Sequence, residues 1–449
     1  MIVAKFGGTS VGDAEAIGRT AAIVRGRLDR QPVVVTSALA GTTNRLIELA
    51  QAAAKGDLIV ALTVIEELRA RHLATIDALG VGDDAELVTD TGALFDELAH
   101  LAEALSVLGD VTARSLDAVS AMGERLSAPI VAAALARIGV PAVFVDARKV
   151  MATTDDHGRA EPRADEIAVA CRTHVLPLVR AGKVPVLGGY IGATAAGVTT
   201  TLGRGGSDYS ASIFGAAMDA EAIEIWTDVD GMLTADPRVV PQARLIEHIR
   251  FDEAAELASF GAKVLHPSTI APAVRKGIPV FIFNSRNAAG RGTKITFDAP
   301  RLPVRAIAGK SKTVVVRVRS PRMLAAPGTM RAIFEVFERN RTSVDVVATS
   351  EVSVSVTLDD VQHLDAVVAQ LSAYGDVAVE RGRGIVALVG AGLGESTVTM
   401  ARALTALGDL RLHMVSLSAT GINLTLIVDD AVVHEAMRRL HAAFFEEAA

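Results

Sequence analysis

The stretch Thr199–Asp208 brings together the groups that bind an anion. Its sequence, TTTLGRGGSD, begins with three hydroxyl side chains and continues with three glycines, one cation and one anion. Glycines let the backbone approach a ligand closely and expose main-chain N–H groups. Arg204 adds a fork-shaped donor that suits a carboxylate or a phosphate. The pattern fits an anion-binding loop, and from the spacing alone it fits an ordinary glycine-rich turn equally well.

A helix is expected to follow this loop, because apolar residues recur with helical spacing to about Ala222. Ser207 and Asp208 occupy the expected N-cap position of that helix. Since the first N–H groups of a helix have no partner within it, its N-terminus binds anions readily. Loop and helix together predict a site for a carboxylate or a phosphate.

The first residues of the chain form a second unit of strand, glycine turn and helix. Ile2–Phe6 has the apolar run of a buried strand, Gly7 and Gly8 follow it, and a helix is expected near Asp13. Lys5 lies at the end of the strand. Two such turns are suited to facing each other across one phosphate chain.

Glu124 is a candidate for binding an ammonium group. It lies in Ser120–Ser127 (SAMGERLS), among mostly small and apolar residues, within a helical run over about 45–138. From the residues alone, an exposed helical glutamate on the same face as Arg125 is the favoured interpretation.

Strands and helices alternate through the first two-thirds of the chain. Apolar runs predict further strands at 33–38, 140–147, 183–191, 224–229 and 278–285. This alternation predicts an α/β fold with a doubly wound, mainly parallel sheet and helices on both faces. We expect residues 1–297 to form this catalytic domain.

From about residue 300 the pattern changes to two rounds of βαββαβ. The second round lacks its last strand, which would leave an open sheet edge. An unassigned strand at 303–308 is expected to complete it. The first repeat, 312–382, would then be inserted into the second, 298–311 plus 383–449. Edge strands of such small sheets need covering, so a homodimer or larger assembly is expected.

Charge and composition argue against several classes of partner. The chain has 45 Lys+Arg against 52 Asp+Glu, a net charge of −7, and no basic block, which disfavours nucleic acid and anionic membranes. Cys171 is the single cysteine, which excludes internal disulfides and a cysteine-rich metal site. The uncharged run 184–203 is interrupted by glycines, so no membrane span is expected. With no signal-peptide pattern, the expected location is the cytoplasm.

Four motifs in register resemble those of the aspartate kinases. They are Lys5–Ser10 (KFGGTS), Thr199–Asp208 (TTTLGRGGSD), Trp226–Gly231 (WTDVDG) and Phe260–Pro267 (FGAKVLHP). The similarity runs in order over essentially all 449 residues, and the C-terminal repeat resembles a pair of ACT domains, which commonly bind amino acids. The resemblance implies the amino acid kinase fold and phosphoryl transfer from ATP to L-aspartate, with Mg²⁺ neutralising the phosphates.

The resemblance also assigns roles to individual residues. Lys5 and Asp208 would be catalytic, with Lys5 near the transferring phosphoryl group and Asp208 orienting Lys5 or holding Mg²⁺. Arg204 would bind the α-carboxylate of aspartate, and Glu124 its ammonium. The substrate-binding set is Ser37, Thr43, Glu124, Arg204, Gly205, Gly206 and Ser207. The ATP-binding set is Lys5, Gly7, Gly8, Thr9, Ser10, Thr227, Asp228, Leu233, Arg238, Lys263 and Val264. Leu233 stands where the family often has tyrosine, so one ring contact to the nucleotide is missing.

An effector site is expected in the first repeat. Asp345 and Glu351 provide negative charge that suits a ligand with a second ammonium, and the arrangement resembles the lysine-inhibited, monofunctional branch. Lysine is therefore the expected inhibitor. The effector set is Met323, Ala326, Thr329, Met330, Val344, Asp345, Ser350 and Glu351. Ala325, Ala326 and Thr329 depart from the polar or aromatic residues usual in that branch. The alternative is that both acids are solvated and the repeats only dimerise.

Two other functions remain open from the sequence. One is a non-catalytic amino-acid sensor that kept the ACT pair, and the other is a different carboxylate kinase of the same fold. The sensor is disfavoured because all the charged residues expected of the active site are present. They are Lys5, Glu124, Arg204, Asp208 and Lys263. The ACT pair and the Thr199–Asp208 motif argue against a glutamate or carbamate kinase.

Overall fold

A computed structural model describes residues 1–260, 265, 267–320 and 327–446. The strands are β1 Ile2–Phe6, β2 Pro32–Thr36, β3 Ala142–Phe144, β4 Val184–Gly188, β5 Ile191–Ala193, β6 Thr199–Thr201, β7 Ala222–Thr227, β8 His248–Arg250, β9 Val280–Asn284, β10 Thr293–Thr296, β11 Ala306–Arg319, β12 Val347–Ser350, β13 Ser353–Leu358, β14 Asp376–Val389, β15 Met414–Leu417 and β16 Asn423–Asp429. The helices are α1 Ala14–Arg25, α2 Thr42–Ala54, α3 Leu58–Ala78, α4 Ala85–Leu108, α5 Ala113–Ser120, α6 Met122–Arg137, α7 Ala164–His174, α8 Leu176–Arg180, α9 Gly206–Ala217, α10 Phe251–Ser259, α11 Ala271–Lys276, α12 Thr329–Arg339, α13 Leu364–Leu371, α14 Thr397–Leu407 and α15 Val433–His441.

The first of two compact units comprises Met1–Met232 and Val264–Phe297. Within it the strand order is β3-β4-β2-β1-β7-β9-β10. The pairs from β3 to β9 are parallel and β10 runs antiparallel to β9. Every residue of β1 and β2 is buried, so both faces of the sheet are covered, as the prediction of a doubly wound sheet requires. That prediction is confirmed.

The carboxyl ends of the central strands meet at one edge of this sheet. The Ser37 N–H donates to the Phe6 carbonyl at 3.1 Å, and the Gly189 N–H donates to the Thr36 carbonyl at 2.8 Å. The loops after β1, β2 and β4 therefore lie side by side. This edge is where open α/β sheets bind their ligands.

The predicted helical run over about 45–138 is confirmed by α2 to α6. Leu49, Leu98 and Met122 belong to a core shared by α2, α4 and α6. The stretch Ala113–Arg137 is apolar and long enough to cross a membrane, but 78% of its apolar window is buried inside the protein. Its apolar side chains are used in packing, as in the core helix of a globular domain.

Helix α9 differs from the prediction at both ends. It begins at Gly206, and the N-cap is Gly205, with a left-handed φ of 72°. Ser207 and Asp208 therefore lie in the first turn and not at the cap. The helix ends at Ala217 because the chain must turn before β7 begins at Ala222. The strand predicted at 140–147 is also shorter, because Asp146 caps a 3₁₀ turn over Ala147–Lys149.

The second unit comprises Leu233–Lys263 and Asp298–Ala449. Its antiparallel sheet has the order β12-β13-β11-β14-β16-β15. Val314–Arg319 of β11 pairs with β13, whereas Ala306–Lys310 pairs with Ile385–Val389 of β14. The strand predicted at 303–308 is thus the first part of β11 and completes the sheet of the second repeat, which confirms the permuted arrangement. The last strand of the first repeat and the first strand of the second repeat are one continuous strand, β14.

The segment from Leu233 to Lys263 groups with the second unit, whereas the sequence placed it in the catalytic domain. Ala235 and Val240 lie in the same apolar core as Leu388 and Leu440. The Ile307 N–H also donates to the Thr234 carbonyl at 2.8 Å. The chain thus leaves the first unit after Met232 and returns to it at 264. The domain limits drawn from the sequence remain a proposal.

Candidate active site

A cavity of about 570 Å³ opens in the first unit at the carboxyl edge of the parallel sheet. It is lined by Lys5, Gly8, Ser37, Ala38, Leu39, Ala40, Gly41, Thr43, Asn44, Ile47, Glu124, Tyr190, Gly203, Arg204, Gly205, Gly206, Ser207 and Asp208. The seven residues predicted to bind the substrate all belong to this lining, together with Lys5 and Asp208. The structure thus brings together residues that are up to 203 positions apart in the chain, from Lys5 to Asp208.

An ion pair between Lys5 and Asp208 lies in the cavity wall. The distance from Lys5 Nζ to Asp208 Oδ1 is 2.6 Å, and the Lys5 side chain is only 9% exposed. Lys5 is fixed by β1 and Asp208 by the first turn of α9. Because both groups are held by regular elements, the ammonium is presented to the cavity in a defined position.

The N-terminus of α9 supplies the anion-binding part of the cavity. A Cβ at Gly206 would lie 2.6 Å from Tyr190 Cδ2, so only glycine allows this approach of helix and loop. The Gly206 N–H donates to the Gly203 carbonyl at 3.0 Å, whereas the N–H groups of Ser207 and Asp208 have no acceptor within the helix and are available to a ligand. Arg204 is exposed beside them, and no carboxylate among the described residues pairs with it. Its guanidinium is therefore available for an anion.

Glu124 is buried beneath the other side of the cavity, with 3% of the residue exposed. Its Oε1 accepts a hydrogen bond from the Ala38 N–H at 3.1 Å. Its Oε2 is buried and has no hydrogen-bond partner among the described residues. Burial raises the pKa of this carboxyl to about 8. A buried carboxylate with one unused oxygen at a polar cavity is suited to a cationic group of a ligand.

The exposed, Arg125-paired glutamate favoured by the residues alone is therefore wrong for Glu124. Arg125 pairs instead with Glu97, through two N–O contacts of 2.8 Å each. Glu124 and Arg125 are neighbours in the sequence, and the helical pattern does not show which of the two side chains faces β2. The packing of α6 against the sheet decides this.

Residues 1–284 match the model of the amino acid kinase family, and residues 386–444 match that of the ACT domain. Over 460 residues the chain is 36% identical to lysine-sensitive aspartokinase 3 of Escherichia coli (strain K12), and the match covers 99% of each chain. This chain belongs to the aspartokinases of the amino acid kinase family. The predicted family is confirmed.

Further relatives agree with this placement. Aspartokinase 3, chloroplastic, of Arabidopsis thaliana is 36% identical over 464 residues, covering 99% of this chain and 81% of that protein. The crystal structure of E. coli aspartokinase III with aspartate and ADP, in the R-state, matches with a TM-score of 0.85 at 36% identity, over 99% of this chain and 100% of that one. The T-state structure of that protein with lysine and aspartate matches with a TM-score of 0.84, at the same identity and coverage.

The predicted ATP-binding residues of this aspartokinase are spread more widely than the substrate set. Gly8 lines the cavity. The Gly7 N–H is already used, donating to the Trp226 carbonyl at 3.0 Å. Ser10 is buried, and its hydroxyl contacts the Trp226 carbonyl at 3.2 Å and Ser285 Oγ at 2.8 Å. In this structure Gly7 and Ser10 hold the loop to the sheet.

Other members of the ATP-binding set lie outside the cavity lining. Thr9 and Asp228 are exposed, and Thr227 Oγ1 donates to Asp228 Oδ1 at 3.2 Å. Leu233 and Arg238 belong to the second unit. Arg238 is 86% exposed and forms an ion pair with Asp236 at 2.6 Å. Lys263 and Val264 lie outside the described residues.

The described members of the effector set are mostly exposed. Thr329 and Met330 begin α12, and Val344 packs against the core of the first repeat. Strand β12 spans Val347–Ser350, so Asp345 precedes it and Glu351 follows it. Ser350 Oγ contacts Ser353 Oγ at 2.7 Å. Met323 and Ala326 lie outside the described residues.

Asp345 already has a cationic partner within the protein. Lys310 Nζ lies 3.4 Å from Asp345 Oδ2 and also contacts Asp359. Lys310 therefore pairs both with Asp345, a member of the predicted effector set, and with Asp359.

Two residues with clear positions at the site were missed. Tyr190 lines the cavity with a left-handed φ of 65°, and its N–H donates to Ser210 Oγ at 2.9 Å. Asp117 is buried and accepts hydrogen bonds from Thr201 Oγ1 at 2.5 Å and from the Gly158 N–H at 3.0 Å. Asp117 thereby fixes the strand that leads into the anion-binding loop. Neither residue belongs to a recognisable motif.

Proposed function

We propose that this chain is an ATP-dependent aspartate kinase, which converts ATP and L-aspartate to ADP and 4-phospho-L-aspartate. This is the first step in the synthesis of lysine, threonine and methionine. The observation that carries the proposal is one cavity with an available guanidinium, a paired lysine and a buried carboxylate with an unused oxygen. The solved relative that holds aspartate and ADP supports it.

Two charged groups recognise the ends of the substrate. Arg204 binds the α-carboxylate, for which its planar fork is suited. Glu124 binds the ammonium through Oε2, the oxygen that has no hydrogen-bond partner within the described part of the chain. The arriving ammonium favours the ionised form of Glu124, because an opposite charge nearby stabilises the carboxylate. Ser37, Thr43 and Ser207 supply hydroxyl or amide contacts along the substrate.

Phosphoryl transfer brings the side-chain carboxylate of aspartate against the γ-phosphate, so two anions must approach each other. The carboxylate needs no general base, since it is already ionised at neutral pH. One of its oxygens attacks the γ-phosphorus as the bond to the ADP oxygen breaks. Catalysis then rests on positioning and on positive charge along this line. Lys5, held by Asp208, and the N–H groups of α9 provide that charge.

Mg²⁺ is expected with the nucleotide. Magnesium in such sites takes one or two protein carboxylates and the substrate phosphates, and when bound it neutralises phosphate charge. Asp208 is the carboxylate in the cavity that suits this position. Among the described residues, no group of three or more His, Cys, Asp or Glu side chains is placed to hold a metal by itself. The ion would therefore arrive with the nucleotide.

Feedback inhibition by lysine is proposed at the first repeat. The E. coli relative is named lysine-sensitive, and its T-state structure contains lysine. In this chain the effector's ammonium would have to displace Lys310 from Asp345. Lysine would inhibit if it binds a low-activity state better by about 1–3 kcal/mol. We also propose that the protein is a homodimer or a larger assembly and that it is located in the cytoplasm.

An assay of hydroxamate formation tests the function. Purified protein is incubated with ATP, Mg²⁺ and hydroxylamine, and with aspartate, glutamate or acetylglutamate in parallel. We expect hydroxamate with aspartate alone and a lower rate at millimolar lysine. Product from acetylglutamate but not aspartate would indicate another carboxylate kinase. Lysine binding without any product would indicate the non-catalytic sensor.

A further inference from the structure

One side chain from α3 joins the two loops that form a wall of the cavity. Arg71 Nη1 donates to the Ala40 carbonyl at 2.8 Å, and Arg71 Nη2 donates to the Gly12 carbonyl at 2.8 Å. Gly12 belongs to the loop after β1, which contains Gly8. Ala40 belongs to the loop after β2, of which residues 37–41 line the cavity. A single planar guanidinium therefore spans both loops.

The two loops are also packed directly against each other. A Cβ at Gly8 would lie 3.3 Å from the Ala38 carbonyl oxygen, and a Cβ at Gly12 would lie 3.2 Å from Ala40 Cβ. Backbones this close move together, because a packed interface leaves no free volume between them. Arg71 fixes this contact from outside, through one hydrogen bond to each loop.

Arg71 has features of a dedicated bridge. It is half-buried, and within the described residues no carboxylate pairs with its guanidinium. Both of its acceptors are loop carbonyls, which lack the partners that a sheet or helix would provide. The fork of arginine presents parallel donors with a fixed separation, which the point charge of lysine does not.

The loop that Arg71 holds also orients a substrate-binding group. Ala38, two residues before Ala40, donates its N–H to Glu124 Oε1. The loop after β1 begins at Gly7, two residues after Lys5. Arg71 is thus linked on one side to the group proposed for the ammonium and on the other to the group proposed for the phosphoryl.

We propose that Arg71 is a positioning residue for phosphoryl transfer, which holds the two loops at the separation that aligns aspartate with the γ-phosphate. This inference rests on the proposed function. It requires no contact between Arg71 and either substrate. Misplacement of reacting groups by about 1 Å costs roughly a hundredfold in rate. Loss of Arg71 should therefore lower kcat more than it raises either KM.

The test compares Arg71→Met and Arg71→Lys with a control, Arg137→Met, in the full-length protein. Methionine keeps much of the apolar stem but loses both hydrogen bonds. Arg137 is a matched control because its Nε donates to a loop carbonyl, that of Gly80, at 3.1 Å, and neither residue lines the cavity. Steady-state kcat, both KM values and thermal unfolding are measured for each variant.

We expect kcat of Arg71→Met to fall about 10- to 100-fold, with KM changed less than about threefold. Arg71→Lys should retain more of kcat, and the control should match the unsubstituted protein. In a further variant, Arg71→Ala, added methylguanidinium should restore part of kcat, which a loss of stability alone does not allow. The inference is wrong if Arg71→Met is folded and keeps kcat within twofold. It is also wrong if the fraction of kcat lost by this variant equals the fraction of the protein that is unfolded. An inactive unsubstituted protein would instead refute the proposed function.

Discussion

Glu124→Gln tests the recognition of aspartate most sharply, because it removes the charge of a buried carboxyl with little change in shape. In the free protein burial raises the pKa of Glu124 to about 8. Only the ionised form pairs with the substrate ammonium. At pH 7 each binding event must therefore include deprotonation of this group, at a cost on the order of 1 kcal/mol for one pH unit.

The magnitude follows from these two quantities. Removing one partner of a buried, hydrogen-bonded charge pair costs about 2–5 kcal/mol. Since ionisation at pH 7 already costs on the order of 1 kcal/mol, the observed loss should be about 1–4 kcal/mol. This corresponds to a fall of roughly fivefold to several hundredfold in kcat/KM for aspartate. The KM for ATP should change little, because Glu124 lies on the aspartate side of the proposed mechanism.

The pH profile provides the decisive assay. For the unsubstituted protein, kcat/KM for aspartate should rise about tenfold per unit below a pH of about 8 and then level off, since this ratio reports groups of the free enzyme. Glu124→Gln should abolish that slope. Glu97→Gln is the control, because Glu97 pairs with Arg125 and does not line the cavity. A glutamine variant that keeps both the slope and the aspartate KM would refute the proposed role.

Four further predictions concern other groups. Arg204→Lys should lower kcat/KM for aspartate roughly a hundredfold while ATP binding persists, since a point charge replaces a bidentate fork; near-native aspartate kinetics would contradict this. Lys5→Ala should lower kcat with little change in the aspartate KM, and a rise in KM alone would make Lys5 a binding residue. Lys310→Met should lower the lysine concentration for half-inhibition by up to about fivefold, which corresponds to the free energy of a partly exposed ion pair. Asp345→Ala should raise that concentration. Unchanged inhibition in both variants would exclude this site. Burial lowers the pKa of His72 to about 4, so its contribution to stability is complete above pH 6.5 and is lost as the pH falls towards 4. In His72→Leu the free energy of unfolding should therefore depend less on pH between 6.5 and 4. An unaltered pH dependence would contradict the assignment.

The sequence predicted those parts of the site that lie in local patterns. Lys5 ends a buried strand and Asp208 opens a helix after a glycine loop, so their approach follows from how parallel strands and helices meet. Arg204 was found for the same reason. The position of the cap was wrong by two to three residues, because Gly205 adopts the left-handed conformation that ends the loop.

The rest depends on packing between distant segments. Helical spacing did not reveal that Glu124 is buried, because burial is set by the contact of α6 with β2. Asp117 meets Thr201 across 84 residues, and no local pattern encodes this pair. Likewise, Ala235 and Val240 join a core formed by residues beyond 300, so their grouping with the second unit could not be read from the segment itself.

The central claim is that this chain transfers the γ-phosphoryl group of ATP to the side-chain carboxylate of aspartate. The most direct measurement is ³¹P NMR of a mixture of the protein, ATP, Mg²⁺ and L-aspartate, followed by hydroxylamine trapping and identification of the hydroxamate. The account predicts an acyl-phosphate resonance that requires aspartate, and a trapped product modified at the side-chain carboxylate. ADP formed without an acyl phosphate, or a hydroxamate at the α-carboxylate, would contradict it.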